Sequence, residues 1–159
     1  DPFYKNKKKI LFIFILMILL HILEDFHLQG ILANMKQKSW WQSECNKLGI
    51  KYEPSKYKYD HIISLYIHSL ENSIFITLPF IIDGLVTTFT TNPNNSLFIG
   101  WAFIIFANTV VHAFIDNFKC NNKGINLIID QLLHFIFIIL LFSLYEKYLG
   151  LWMHELIPA

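Results

Sequence analysis

In four places along the chain a histidine and a second polar group stand four residues apart: His21 with Asp25, Ser64 with His68, His112 with Asp116, and Asp130 with His134. That spacing stacks two side chains on one face of a helix. Imidazole and carboxylate together form a ligand set suited to zinc, manganese or iron. The expected chemistry is therefore a divalent-metal centre held by His21, Asp25, His68, His112, Asp116, Asp130 and His134. A single histidine in a helix is more often a satisfied polar group than a ligand, but four at one depth make a set.

Each pair sits in a stretch apolar enough to cross a membrane. The spans run from Ile10 to Leu28, His61 to Ile82, Leu97 to Asp116 and Leu127 to Tyr145, each near the ~20 residues that the hydrocarbon core requires. With 159 residues, 54% of them hydrophobic, and a mean hydropathy of +0.41, the chain is too oily for an ordinary soluble domain of this size. The expectation is one transmembrane domain over residues 1–159, all-α, folded as an integral membrane four-helix antiparallel bundle. The first span is too long and too polar at its far end for a signal peptide, and no small-residue cleavage site follows it, so it is expected to be a retained helix.

In such a bundle the end of the first span, the start of the second, the end of the third and the start of the fourth share one side, and every pair falls there. At ~1.5 Å of rise per residue the histidines lie roughly 10 Å inside the helix ends, with Asp25, Ser64, Asp116 and Asp130 about one turn shallower. An ionised Asp at the centre of a membrane helix costs about 2.5–3.5 kcal/mol, and less toward the interface. Three of them at one depth need shared compensation. Two divalent cations and a bridging hydroxide sum to zero against three carboxylates, which favours a dinuclear site with zinc as the leading metal.

Around this set, Glu71 and Asn72 lie one turn below His68, and Asn108 one turn below His112. Glu71 is a candidate ligand or base beside a metal-bound water. Gln29, Lys36, Lys119 and Gln131 collect at the mouth, where they are candidates to bind substrate. Met17 and Ile138, at the corresponding depth on the other two spans, are apolar, so the site reads as a cup open at one face instead of an ion pathway. His27 and His61 lie at helix ends, where solvated histidine is ordinary, and stay outside the set.

The connections carry their own signals. Asp60 is placed to cap the second span, Pro79 lies near that span's far end, and Asn92-Pro93-Asn94-Asn95-Ser96 reads as a turn before the third. Gly124 and Asn126 break the chain before the fourth. The first connection, about 30 residues from Gly30 to Asp60, mixes Ile31, Leu32, Met35, Trp40 and Trp41 with Lys36 and Lys38. That is the pattern of an interfacial helix with aromatic anchors, positioned to roof the site. The tail from Glu146 to Ala159, with Trp152 and His154, is expected on the opposite side. Cys45 and Cys120 have no metal-ligand spacing and could pair only in an oxidising compartment.

All 13 basic residues are lysines, and their juxtamembrane placement serves topology or lipid contact. Net charge near +1 gives no case for nucleic acid. Lys5, Lys7, Lys8 and Lys9 argue for a cytoplasmic N-terminus, whereas eight lysines in the site-side loops, against five on the other side, argue for a cytoplasm-facing site. The lysine-free stretch from Asp83 to Ser96 supports the latter. His21-Ile-Leu-Glu-Asp25-Phe26 and His112-Ala-Phe-Ile-Asp116-Asn-Phe118 also suggest a repeated two-helix plan.

The strings His21-x3-Asp25-Phe26-x2-Gln29, Ala33 with Lys36, His68-Ser69, His112-x3-Asp116-x2-Lys119 and Asp130-Gln131-x2-His134 resemble a bacterial and phage family of small membrane proteins catalogued as a domain of unknown function, the 3307 family. The resemblance covers nearly the whole chain and implies a bacterial cytoplasmic membrane setting, without supplying a reaction. More distantly, the helical His-x3-Asp spacing is similar to that of zinc-dependent phospholipase C, single-strand nucleases and membrane metal-dependent hydrolases. The expected function is a membrane-embedded metal-dependent hydrolase of a lipid or lipid-linked phosphoester, with membrane lipids as surroundings. The alternatives are a metal-ion or proton transporter or sensor, and a non-catalytic small membrane effector whose polar layer fixes bundle register. The His-x-x-His-His boxes of membrane desaturases and the Glu-Glu and arginine elements of glutamic membrane proteases are absent, which places both below hydrolysis.

Overall fold

The computed structural model describes residues 2–91 and 96–156, with side chains described over 7–86 and 100–147. Among the described residues the regular structure is entirely helical. Helix α1 spans Pro2–Leu23 and runs on through a π-helical turn, Glu24–Leu28. Two short helices follow, α2 (Leu32–Met35) and α3 (Lys38–Lys47), then α4 (Asp60–Thr91), α5 (Ser96–Cys120) and α6 (Leu127–Leu156). Four stretches, Lys7–Leu28, Asp60–Val86, Gly100–Cys120 and Leu127–Lys147, are long and apolar enough to cross a membrane.

The distribution of side chains is inverted relative to a soluble protein. Among the described residues, polar and charged side chains outnumber apolar ones in the interior, while Leu11, Phe12, Ile15, Leu19, Phe103, Phe106, Phe114, Ile128 and Leu140 stand on the outside. Burying a polar group is costly without a partner, and an apolar exterior is the surface a hydrocarbon solvent requires.

Two zones divide the interior. One is an apolar layer in which Ile13 and Met17 of α1 pack with Ile76 and Phe80 of α4 and with Ile138, Leu141 and Tyr145 of α6. Beyond it on one side, the Tyr145 hydroxyl donates to Asp83 at 2.9 Å and Lys9 pairs with the same carboxylate. On the other side lies the polar zone that holds the histidines. Between the two, α4 offers a ladder of hydroxyls: Ser69, Ser73 and Thr77 each donate to the carbonyl four residues back, at 2.6 to 2.8 Å. Asn108 and Thr109 of α5 reach Ser73 Oγ at 2.8 and 3.0 Å.

Helix α4 extends past the expected end at Ile82, so that 83–91, read from sequence as loop, is helical. Gly84 lies inside this extension, where glycine costs a helix only about 1 kcal/mol. Here a Cβ at position 84 would collide with the Trp101 ring on α5, so close helix packing needs the glycine. The turn expected at Asn92-Pro93-Asn94-Asn95 lies outside the described residues, as do the side chains of Trp152 and His154. Gly30 adopts the left-handed backbone (φ +50°) that ends the first span and turns the chain toward α2. The segment after α2 is pinned to the end of α5: Asn121 donates to the Lys36 carbonyl at 3.1 Å and accepts from the Lys38 N–H at 2.8 Å. Cys45 and Cys120 are both free thiols.

Candidate metal centre

The π-helical turn that closes the first span is the local feature on which the site depends. Gln29 N–H donates to the Glu24 carbonyl at 3.1 Å, five residues back. Glu24, 1% exposed, and Asp25, 6% exposed, both enter the interior here, three and four residues on from the buried His21, while Leu23, Phe26 and Leu28 face outward. Turns of this type recur at functional sites.

Around Asp25 the ligand atoms converge from three helices. His68 Nε2 lies 3.4 Å from Asp25 Oδ1 and 3.2 Å from His112 Nε2, and His112 Nε2 lies 3.8 Å from the same carboxylate oxygen. Zinc bonds of about 2.0–2.1 Å to nitrogen and oxygen in a tetrahedron separate neighbouring ligands by roughly 3.3 Å, so this triangle has the size of one face of such a site. Two further triads share its corners. His112, Asp116 and His134 form one, with His134 Nε2 3.3 Å from Asp116 Oδ1 and His112 Nε2 3.8 Å from Asp116 Oδ2. Asp25, Asp130 and His134 form the other, with His134 Nε2 3.6 Å from Asp130 Oδ1. Asp116 turns one oxygen toward His134 and the other toward His68, at 3.2 Å, which is the posture of a bridging carboxylate.

The structure thus brings six of the seven expected ligands into three overlapping triads. His21 is fully buried and its ring lies 5.2 Å from that of His134, yet it belongs to none of them. Its Nδ1 accepts from Asn72 Nδ2 at 3.2 Å. Ser64 donates to the Asp60 carbonyl at 2.8 Å and joins no triad. Glu71 is exposed and points away from the interior, because it sits one residue off the buried α4 face that carries His68 and Asn72.

The carboxylate that sequence reasoning missed is Glu24. Its Oε1 is 3.1 Å from His68 Nδ1, and its Oε2 accepts from Asn72 Nδ2 at 2.5 Å. An acid inside an apolar span is itself a signal of function, and that signal was present. Period-four pairing leaves Glu24 without a partner, although it follows His21 by three residues and so lies on the same helix face.

The mouth residues are also more engaged than expected. Lys36 Nζ is 2.6 Å from Asp116 Oδ2 with both groups buried, and Lys119 pairs with Asp130. Burial opposes the Lys36 ammonium, but the Asp116 carboxylate more than offsets this and holds Lys36 above the ordinary lysine range. Gln131 donates to Asp25 Oδ2 at 2.6 Å, and Gln29 donates to the Asp25 carbonyl. With Glu24 counted, four carboxylates face two ammoniums, so one divalent cation neutralises the set while both lysines stay in place. A second cation requires that the lysines release Asp116 and Asp130, or that hydroxide joins the site.

Comparison with family models, curated proteins and solved structures gives no significant match.

Proposed function

We propose that the chain is a membrane-embedded metal-dependent hydrolase acting on a lipid or lipid-linked phosphoester. The observation that carries this reading is the set of three overlapping His/Asp triads, buried at one depth among helices whose outer surface is apolar. In this reading the four long helices cross the bilayer in alternate directions as an antiparallel bundle. The α2–α3 segment lies in the interface above the site, and the site faces the cytoplasm of a bacterial cell. The alternation is supported by the Lys9–Asp83–Tyr145 contact at one end and the histidine cluster at the other. The resemblance to the 3307 family belongs to the same proposal.

Asp25, His68, His112, Asp116, Asp130 and His134 would hold the metal, with zinc best suited to the donor set and the shared corners giving room for two ions. A divalent ion in such a site supplies acidified water as nucleophile near neutral pH. The protein's own part is to orient and to exclude solvent. Asp25 is steered by Gln131, and Asp116 by His68 and His134. Were two cations to take the Asp116 and Asp130 carboxylates, Lys36 and Lys119 would be free to bind an anionic phosphate. An outward-open groove between the π-helical turn and the start of α6, lined by Phe26, Leu127, Ile128, Leu132 and Phe135, ends at Gln131. It offers an apolar approach from the bilayer for the acyl chain of such a substrate.

Transport of the metal or of protons would require access from both faces, and Met17, Ile76, Phe80 and Ile138, each no more than 1% exposed, stand in that path. The test is elemental analysis of the detergent-purified full chain, followed by hydrolysis assays on phospholipids and lipid-linked phosphates. About one to two equivalents of zinc, manganese or iron per chain, absent from His112→Ala, are expected. Folded wild-type protein that stays metal-free after reconstitution would overturn the reading.

A further inference from the structure

We propose that Glu24 is a positioning residue for this metal centre: its carboxylate accepts a hydrogen bond from the Nδ1–H of His68 and thereby leaves the His68 Nε2 lone pair for the cation shared with Asp25 and His112. The inference rests on the metal-centre reading and adds to it a residue outside the ligand set.

The geometry distinguishes two buried histidines that look alike in sequence. Asn72 stands between them. Its Nδ2 is 2.5 Å from Glu24 Oε2 and 3.2 Å from His21 Nδ1. An amide places a donor, not its oxygen, against a carboxylate, so Glu24 fixes the orientation of Asn72. Asn72 in turn makes His21 Nδ1 an acceptor. A neutral His21 then carries its proton on Nε2, which leaves no lone pair there for a metal. His68 has the opposite arrangement. Its Nδ1 lies 3.1 Å from Glu24 Oε1, and neither atom has a hydrogen-bond partner elsewhere among the described residues. Protonation of His68 at Nδ1 satisfies both buried atoms at once. The other ring nitrogen, Nε2, then faces Asp25, Asp116 and His112 at 3.4, 3.2 and 3.2 Å with its lone pair free.

A carboxylate behind a ligating histidine fixes the tautomer and ring orientation and raises the basicity of the ligand nitrogen, and losing it typically costs about 10–100-fold in metal affinity. Glu24 is placed for that role: it is 1% exposed, it comes from a different helix than His68, and its second oxygen is braced by Asn72. One short segment thereby delivers a ligand, Asp25, and a brace, Glu24, into the same interior.

The test is titration of chelator-stripped, detergent-purified full-length protein with cobalt(II), whose visible spectrum reports coordination number, with zinc competition giving affinity. Wild type, Glu24→Gln and Glu24→Ala are compared, each with its thermal transition in the absence of metal. Expected is a 10–100-fold weaker affinity in Glu24→Gln at an unchanged metal-free transition, with a larger loss in Glu24→Ala. Imidazole nitrogen shifts in ¹⁵N-histidine-labelled wild type should show His68 protonated at Nδ1 and His21 at Nε2, with the His68 preference lost in Glu24→Gln. Glu24→Gln binding cobalt as tightly as wild type would overturn the inference while leaving the metal centre standing. Wild type that binds no cobalt would remove the metal-centre reading and this inference with it.

Discussion

His21-x3-Asp25 and His112-x3-Asp116 have the same spacing and reach different ends. On α5 the helix is regular, and both members of the pair enter one triad, with His112 Nε2 3.8 Å from Asp116 Oδ2. On the first span the π-helical turn intervenes between them. Asp25 moves into two triads, whereas His21 is left bonded to Asn72 and outside all three. The difference shows that a four-residue spacing brings both side chains into one interior, while the partner an imidazole meets there, Asn72 for His21, goes with its place inside or outside the triads.

This contrast can be broken most severely at α5. His112→Ala should abolish metal retention and the proposed phosphoester turnover while the protein still extracts as a folded species, and Asp116→Asn should do the same with a lowered metal-free melt because it also breaks the pair with Lys36; elemental analysis beside a detergent-phase thermal melt checks both. Next in size is Lys36→Met. Removing one partner of a buried ion pair costs about 3–5 kcal/mol, so the metal-free variant should melt well below wild type, and saturating zinc should restore most of the loss by neutralising Asp116. An unchanged metal-free transition would mean that Lys36 and Asp116 are not held together. The smallest effect belongs to the counterpart pair: His21→Gln should keep wild-type metal stoichiometry, with an affinity change of only a few-fold, below the 10–100-fold expected on losing a brace. Metal loss as complete as in His112→Ala would place His21 in the ligand set and erase the contrast.

Much of this was legible in the amino-acid sequence because it depends on composition and on regular helix. Length and apolarity located the four candidate spans, and period-four spacing picked out His68, His112, Asp116, Asp130 and His134. The apolar character of Met17 and Ile138 foretold the layer beneath. What escaped was tertiary or irregular. Glu24 has only leucines four residues to either side, so period-four pairing passes over it, and the π-helical turn around it has no diagnostic residue type. Glu71 sits next to Asn72 in sequence, yet a 100° step puts one outside and the other inside. Lys36 read as a membrane-edge lysine, because nothing local reveals that Asn121, 85 residues on, pins its backbone so that its side chain reaches Asp116. Likewise nothing local at Gly84 reveals that the Trp101 ring lies against it.

The apolar layer of Met17, Ile76, Phe80 and Ile138 also acts as electrical insulation. In an energised bilayer the voltage falls across the driest part of the path, and a unit charge crossing all of it exchanges about 2.3 kcal/mol per 100 mV. In the proposed bilayer setting, with that layer on one side and the lysine-lined mouth on the other, the cluster would sit at nearly the potential of a single compartment, and the occupancy of the proposed metal site would follow the free-ion concentration of that compartment whether or not the cell is energised.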